Sequence, residues 1–164
     1  MAIREIIEDE TFLRKKSRDV VVFDKRLHTL LDDMAHTLRD VNGVGIAAPQ
    51  VGVLRRVVLI NETGEPEDLL ELINPVVIEA SEEIQDDAEG CLSFPGEYGM
   101  VERPMHVKVR AQNRSGDLII LEGEGLKARA FCHEIDHLNG ELFIEKASRM
   151  LDPEEFEERK KNRK

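Results

Sequence analysis

The stretch Leu126-Lys127-Ala128-Arg129-Ala130-Phe131-Cys132-His133-Glu134-Ile135-Asp136-His137-Leu138-Asn139 predicts one helix, and Gly140 follows as a good residue to end it. Residues four apart on a helix are separated by about 40° around the axis, so His133 and His137 project from one face. Two imidazoles so placed can hold one transition metal ion. Glu134 sits on the flank, within reach of a water on the ion but outside the ligand set. Metal hydrolases use this arrangement: the ion brings the pKa of its water to about 7, and the carboxylate takes the proton during attack. The competing reading is the polar face of an ordinary helix. Asp136 divides in the same way, between a solvated acid and a group that orients the helix or a ligand.

Ahead of this helix, Leu27, Leu30, Leu31, Met34 and Leu38 mark the apolar face of another, from Asp24 as N-cap to Asp40, ended by Asn42-Gly43. Gly43 to Gly52 is rich in glycine and small residues and predicts a tight irregular segment. Arg56 to Asn61 and Glu71 to Ser81 predict strands, with Pro75 placing a bulge or an edge in the second. His106 to Ala111 alternates. Ser115-Gly116-Asp117 then turns the chain into Leu118 to Leu121, a hairpin. A last helix is expected over 152–164, with Asp152 as N-cap, Pro153 first, acids in the first turn and Arg159, Lys160, Lys161, Arg163 and Lys164 at its end. It is expected to be mostly exposed and frayed at its end. The order of elements lacks a βαβ alternation and predicts an α+β fold with mostly antiparallel sheet.

The 164 residues suit a single domain, and 41% apolar content is enough for a core. Apolar runs reach only four residues, as in Val20 to Phe23, so no membrane span is expected. The first residues lack the apolar region of a signal peptide and contain acids that a transit peptide avoids, so a cytoplasmic location is expected. A net charge of −11 argues against nucleic-acid binding. Of the 34 acids, 13 lie in 57–102, where there is no Lys or Arg, and the other 21 face all 23 bases. A solubilising acidic surface is preferred there over a docking patch.

A catalytic metal site needs a third ligand and an open position. No histidine follows His137, and Glu141 lies past the break at Gly140. Cys91, in Glu89-Gly90-Cys91-Leu92-Ser93, is the better candidate once the helical pair is considered, although a lone cysteine is more often a buried apolar residue. Gln50 ends the glycine-rich segment as an amide donor that can hold an oxyanion, or equally bond its own loop.

Together, Gly43-Val44-Gly45-Ile46-Ala47-Ala48-Pro49-Gln50, Glu89-Gly90-Cys91-Leu92-Ser93 and His133-Glu134-Ile135-Asp136-His137 make the chain resemble the peptide deformylases over nearly its whole length. The resemblance implies antiparallel sheets packed around a central helix carrying the HExxH motif, plus an N-terminal and a C-terminal helix. It implies one divalent metal ion on Cys91, His133 and His137, natively Fe(II), with zinc, nickel or cobalt able to replace it. Glu134 would be general base and then acid, and Gln50 and the Leu92 backbone N–H would form the oxyanion hole. Gly45 matches the glycine lying close to the site, and Val44 and Gly90 match backbone groups that pair with an extended substrate. The substrate would be the N-formylmethionyl end of a nascent polypeptide, and formate would be released. Leu126 and Ala130, on the face of the helix that carries the histidines, would wall the methionine pocket with the aliphatic stem of Arg129, or serve as ordinary core. A basic C-terminal end could meet the ribosome, although a screened helix terminus is preferred.

Two departures from the resemblance stand out. Cys132 replaces a common Gln beside the first histidine and points about 100° away from it, so it is not expected to bind the ion. Phe94-Pro95-Gly96-Glu97-Tyr98 lacks the Arg that relatives place near Tyr98, which bears on substrate affinity beyond the methionine. His28, His36 and His106 are expected to be surface or packing residues. Two further readings compete: a zinc peptidase, which the missing downstream ligand disfavours, and a closed structural metal site, for which neither Cys132 nor Glu134 is well aimed.

Overall fold

The run Val57 to Ile60 is buried on both of its faces, and the reason is the position of its strand between two helices. Val57 and Leu59 pack with Leu27, Leu30, Leu31, Met34 and Leu38 on one side, while Val58 and Ile60 pack with Ala128, Phe131, Ile135 and Leu138 on the other. A strand sends alternate side chains to opposite faces, so a continuous apolar run is what such a position requires. Each large apolar side chain buried there stabilises the fold by about 1.5–3 kcal/mol.

A computed structural model describes residues 2–162. In chain order its elements are α1 (Glu10–Leu13), α2 (Lys25–Asp40), β1 (Gly45–Ala47), β2 (Val57–Ile60), β3 (Leu70–Ala80), β4 (Ile84–Cys91), β5 (Phe94–Pro104), β6 (His106–Gln112), β7 (Leu118–Glu124), α3 (Leu126–Leu138), α4 (Phe143–Lys146), β8 (Arg149–Leu151) and α5 (Pro153–Asn162). One sheet has the order β1-β2-β3-β6-β7 and the other β4-β5-β8, with every neighbouring pair antiparallel. The fold is therefore α+β with antiparallel sheets. α2 covers one face of the larger sheet. α3 covers the other and also touches β5 of the smaller sheet. A third cluster, Leu13, Phe94, Val101, Leu142 and Phe143, fills the space beneath the smaller sheet.

Several expected boundaries agree closely with the observed ones. Asp24 caps α2 through its side chain, which accepts from the Leu27 N–H at 3.1 Å, and Asp152 caps α5 by accepting from Glu155 N–H at 2.8 Å. The β3–β6 register shifts between Ile73 and Val76, across Pro75. α3 ends at Leu138, and Gly140 turns with φ 74°, its Cα lying against the Arg14 carbonyl. α5 has no buried residue, as expected, and Arg163 and Lys164 of the predicted last helix lie outside the described residues.

The structure differs from the sequence reading in several places. The glycine-rich segment is partly a strand: Gly45, Ile46 and Ala47 pair with Ile60, Leu59 and Val58 before a 3-10 turn over Ala48–Val51. β4 and β5, unassigned from sequence, form a long hairpin. The four-residue helices α1 and α4 are too short to show a period. Among the described residues no helix is long and apolar enough to cross a membrane.

Candidate metal centre

The β4–β5 hairpin delivers Cys91 to α3. Its register breaks between Gly90 and Cys91, so Leu92 and Ser93 form a tight turn that pairs Cys91 with Phe94 and leaves the thiol at the tip. Cys91 Sγ lies 3.2 Å from His137 Nε2, and one ligand atom each from Cys91, His133 and His137 all fall within 4.8 Å of one another. His133 and His137 are 6% and 1% exposed. The three are a possible metal-binding group, and Cys132, which packs into the α3 core and whose thiol burial pushes up in pKa, is not part of it.

A buried ionic cluster lies behind this group. Glu89 takes a hydrogen bond from His133 Nδ1 at 2.6 Å, leaving Nε2 as the ring nitrogen able to ligate. The same carboxylate accepts from Arg103 through Nε at 3.0 Å and Nη2 at 2.6 Å, and from Arg129 Nη1 at 2.9 Å. Burial raises the Glu89 carboxyl pKa, but the bonds to His133 and Arg103 outweigh it and hold the group well below the usual carboxylate range. Arg103 also donates to Asp136 Oδ2 at 2.7 Å, and Lys146 lies 2.9 Å from the same oxygen. Asp136 is thus a bridge that ties α3 to β5 and α4, not a free solvated acid.

Glu134 is 5% exposed, and its Oε1 has no hydrogen-bond partner among the described residues. Burial pushes its carboxyl up to about 7, against the pull of the His133 charge. Burial also lowers the pKa of His137, and the His133 charge adds to the effect. For His133, burial is outweighed by the Glu134 charge and the bonds to Cys91 and Glu89, and its pKa rises. β1 passes so close that a Cβ on Gly45 would stand 2.8 Å from Glu134 Oε2 and 2.9 Å from its Cγ. Only glycine fits that approach without moving the acid.

Gln50 is 1% exposed, and the bond to its own loop is the one present. Its Oε1 accepts from Ala47 N–H at 2.9 Å, which fixes the loop, while Nε2 points to Ser93 Oγ at 3.2 Å and Cys91 Sγ at 3.4 Å.

Cys91, His133 and Glu134 open into a cleft of about 360 Å³, whose lining includes neither Gln50 nor His137. Val44, Gly45, Gly90 and Leu92 line it, as do Leu126, Arg129 and Ala130, with His133 and Glu134 also on its surface. The Val44 carbonyl already accepts from Asn61 N–H at 2.7 Å. The Arg129 guanidinium is buried on Glu89. Sequence reasoning assigned no role to Glu89 or Arg103. The available signal was that Arg103 follows Val101 by two in what proves to be a strand, an inward position where a charge needs a partner. A larger, open concavity of about 1000 Å³ beside His106, Lys108 and Glu124 gathers no comparable donor group among the described residues. His106 is exposed there, and His28 bonds the Arg114 carbonyl at 2.8 Å.

A model of the polypeptide deformylase family matches residues 3–152. The chain belongs to the polypeptide deformylase family. This is an enzyme family, and its members are similar to this chain in sequence and in fold. A peptide deformylase of Acetivibrio thermocellus is 54% identical over 164 residues, covering 99% of this chain and 94% of the relative. The crystal structure of a peptide deformylase from Legionella pneumophila aligns with a TM-score of 0.87 at 41% identity, covering 90% of this chain and 87% of that one. A Met-Ala-Ser-bound class I type b peptide deformylase from Acinetobacter baumannii aligns with a TM-score of 0.81 at 35% identity, covering 89% and 98%.

Proposed function

We propose that the protein removes the N-formyl group from the initiator methionine of nascent polypeptides in the cytoplasm and releases formate. The observation that carries this reading is the convergence of Cys91 with His133 and His137 beside Glu134, a buried carboxylate unpartnered at Oε1 that lines a cleft. One thiolate and two imidazoles suit a first-row transition metal and not magnesium or calcium. Three protein donors fall one short of a closed tetrahedral site, and the buried Oε1 of Glu134 has no partner of its own. The donor set therefore fits one divalent transition-metal ion; the resemblance to the deformylases points to Fe(II) as the native one, with zinc, nickel or cobalt as substitutes. An ion held there supplies Lewis acidity toward a carbonyl oxygen and brings a water's pKa towards neutrality.

The chain's own residues do the rest. Glu134, its pKa raised to about 7 by burial, takes a proton from the attacking water at a carboxylate oxygen near neutral pH. As the water oxygen bonds to the formyl carbon, Gln50 Nε2 and the Leu92 backbone N–H hold the negative oxygen that develops. Glu134 then passes its proton to the amine nitrogen as the C–N bond breaks. Gly45 and the carboxylate of Glu89 fix the positions of Glu134 and His133 respectively. Val44, Gly45 and Gly90 receive the peptide as an extended strand, and Leu126, Ala130 and the Arg129 stem enclose the methionine side chain.

In this reading the whole chain, 1–164, is one catalytic domain with α3 as the central helix around which both sheets pack. The burial of α3 against both sheets supports it. The basic end of α5 is explained by its helix terminus, with ribosome contact as the alternative.

The test is formate release from a formyl-methionyl peptide by anaerobically purified protein, paired with metal analysis. Glu134→Ala is expected to keep its metal and lose about 10²–10⁴ in turnover. Full activity in that variant would refute the proton-transfer role. Cleavage of an internal peptide bond without formate would favour a peptidase.

A further inference from the structure

The C-terminal helix is joined to the cleft by one ring pair. Tyr98 lines the cleft from β5, and its ring stacks on that of Phe156 from α5 with centroids 3.6 Å apart and planes 7° from parallel. Phe156 is the sole aromatic of α5, a helix that buries no residue, so its half-covered ring is spent on a cleft residue and not on a core. The backbone of Tyr98 pairs with Leu151 of β8, one residue before the cap of α5. Further along, Arg159 reaches Asp87 of β4 at 3.3 Å. The Tyr98 ring also covers Gly90, where a Cβ would meet Cε1 at 2.5 Å and Cδ1 at 2.7 Å.

We propose that Phe156 is a positioning residue: it holds the Tyr98 ring over Gly90, so α5 sets how firmly the cleft grips the peptide residues that follow the terminal methionine. This rests on the deformylase reading for the identity of the substrate. The methionine side chain belongs to the α3 wall formed by Leu126 and Ala130, whereas Tyr98 and Gly90 stand on the β4–β5 wall, along which an extended chain would run. Without the Phe156 face, the Tyr98 ring loses its outer support and can swing away from that wall. Binding of the longer peptide should weaken while the reacting groups stay in place.

The chain has one tyrosine and no tryptophan, so its intrinsic emission reports Tyr98 alone. Titration with the peptide Met-Ala-Ser is expected to change that emission saturably in the parent protein. In Phe156→Ala the midpoint should move to about three- to tenfold higher concentration, the loss one aromatic pair gives. In turnover of formyl-Met-Ala-Ser, KM should rise by a similar factor with kcat little changed. KM for a formyl-methionine amide should stay at the parent value, and Phe156→Tyr should restore KM for the longer substrate. An unchanged midpoint and KM in Phe156→Ala would overturn the assignment. So would equal losses on the short and long substrates accompanied by a fall in the urea midpoint, which is the mark of a merely structural role. Parent protein that releases no formate would sink the deformylase reading, and the Tyr98 titration would still decide the role of Phe156.

Discussion

Glu89 Oε2 accepts a hydrogen bond from His133 Nδ1 at 2.6 Å, and that bond fixes which nitrogen of the imidazole faces Cys91 and His137. Carboxylates in this position orient a ligating histidine and raise its basicity. Glu89→Ala removes that bond and leaves the buried guanidinium groups of Arg103 and Arg129 without their shared partner. Breaking a buried ion pair from one side costs about 3–5 kcal/mol. The expected outcome is a metal affinity weaker by about 10–100-fold, together with a lower urea midpoint. Metal per chain after graded chelator dialysis measures the first effect, and equilibrium unfolding measures the second. Parent-like metal retention would show that the bond does not orient the ring.

The approach of β1 to α3 predicts a different outcome. Gly45→Ala places a methyl within 2.8 Å of Glu134 Oε2, and Glu134, flexible and unbonded at Oε1, is the partner that yields. A displacement of about 1 Å at a reacting group costs on the order of 10²-fold in rate. Metal content should match the parent, because no ligand is touched. Single-turnover formate release with metal analysis on the same sample separates the two. A fully active Gly45→Ala would mean that the contact does not position the acid.

Much of this site is visible in the sequence because its parts are local. The His133/His137 pair, the α5 cap at Asp152-Pro153 and the Leu stripe of α2 each follow from spacing within one element. The β6–β7 hairpin follows from alternation around one turn. What escaped is non-local. β4 contains Gln85, Asp86, Asp87 and Glu89 and shows no apolar alternation, so its pairing with β5 has no signature of its own. Glu89 is one of 13 acids in the acidic window. Only the three-dimensional pairing separates it from solvated neighbours by placing Arg103, Arg129 and His133 around it. β1 was hidden for another reason: three residues are too few to show a period, and its partner β2 comes later in the chain.

Away from the site, Asp33 ties the N-terminal segment to α2. Its carboxylate accepts from Ala2 N–H at 2.8 Å and from Arg4 Nε at 3.0 Å. The Ala2 backbone bond is the largest influence, and with Arg4 it overcomes burial and lowers the Asp33 pKa below 3.8. A depressed folded-state pKa contributes stability that is fully present above the unfolded value and fades as pH falls through the folded value. Asp33→Asn should therefore unfold earlier than the parent at pH 7. The deficit should be about 1 kcal/mol, the discounted value for a pair whose arginine is only half-buried. It should shrink below the unfolded value of 3.8 and disappear once the folded carboxyl is also protonated. Urea midpoints of both proteins across that range test the sign. A deficit that grows on acidification would contradict it.

Cys91→Ser probes the ligand set at its one sulfur. Thiolate is the soft donor that favours iron, zinc, nickel or cobalt, and a serine hydroxyl stays protonated at neutral pH and binds these ions poorly. The backbone of the Leu92–Ser93 turn and the Gln50 Nε2 bond to Ser93 remain possible with the smaller side chain, so the fold should survive. Metal content after dialysis should fall from about one ion per chain towards none, and formate release should fall with it, while circular dichroism and the unfolding midpoint of the metal-free forms stay alike. The corresponding change at Cys132, which packs into the core and joins no donor group, should leave metal content intact. A Cys91→Ser protein that holds its ion as tightly as the parent would require the third ligand to come from elsewhere, and the hydrolytic scheme built on an open fourth position would lose its foundation.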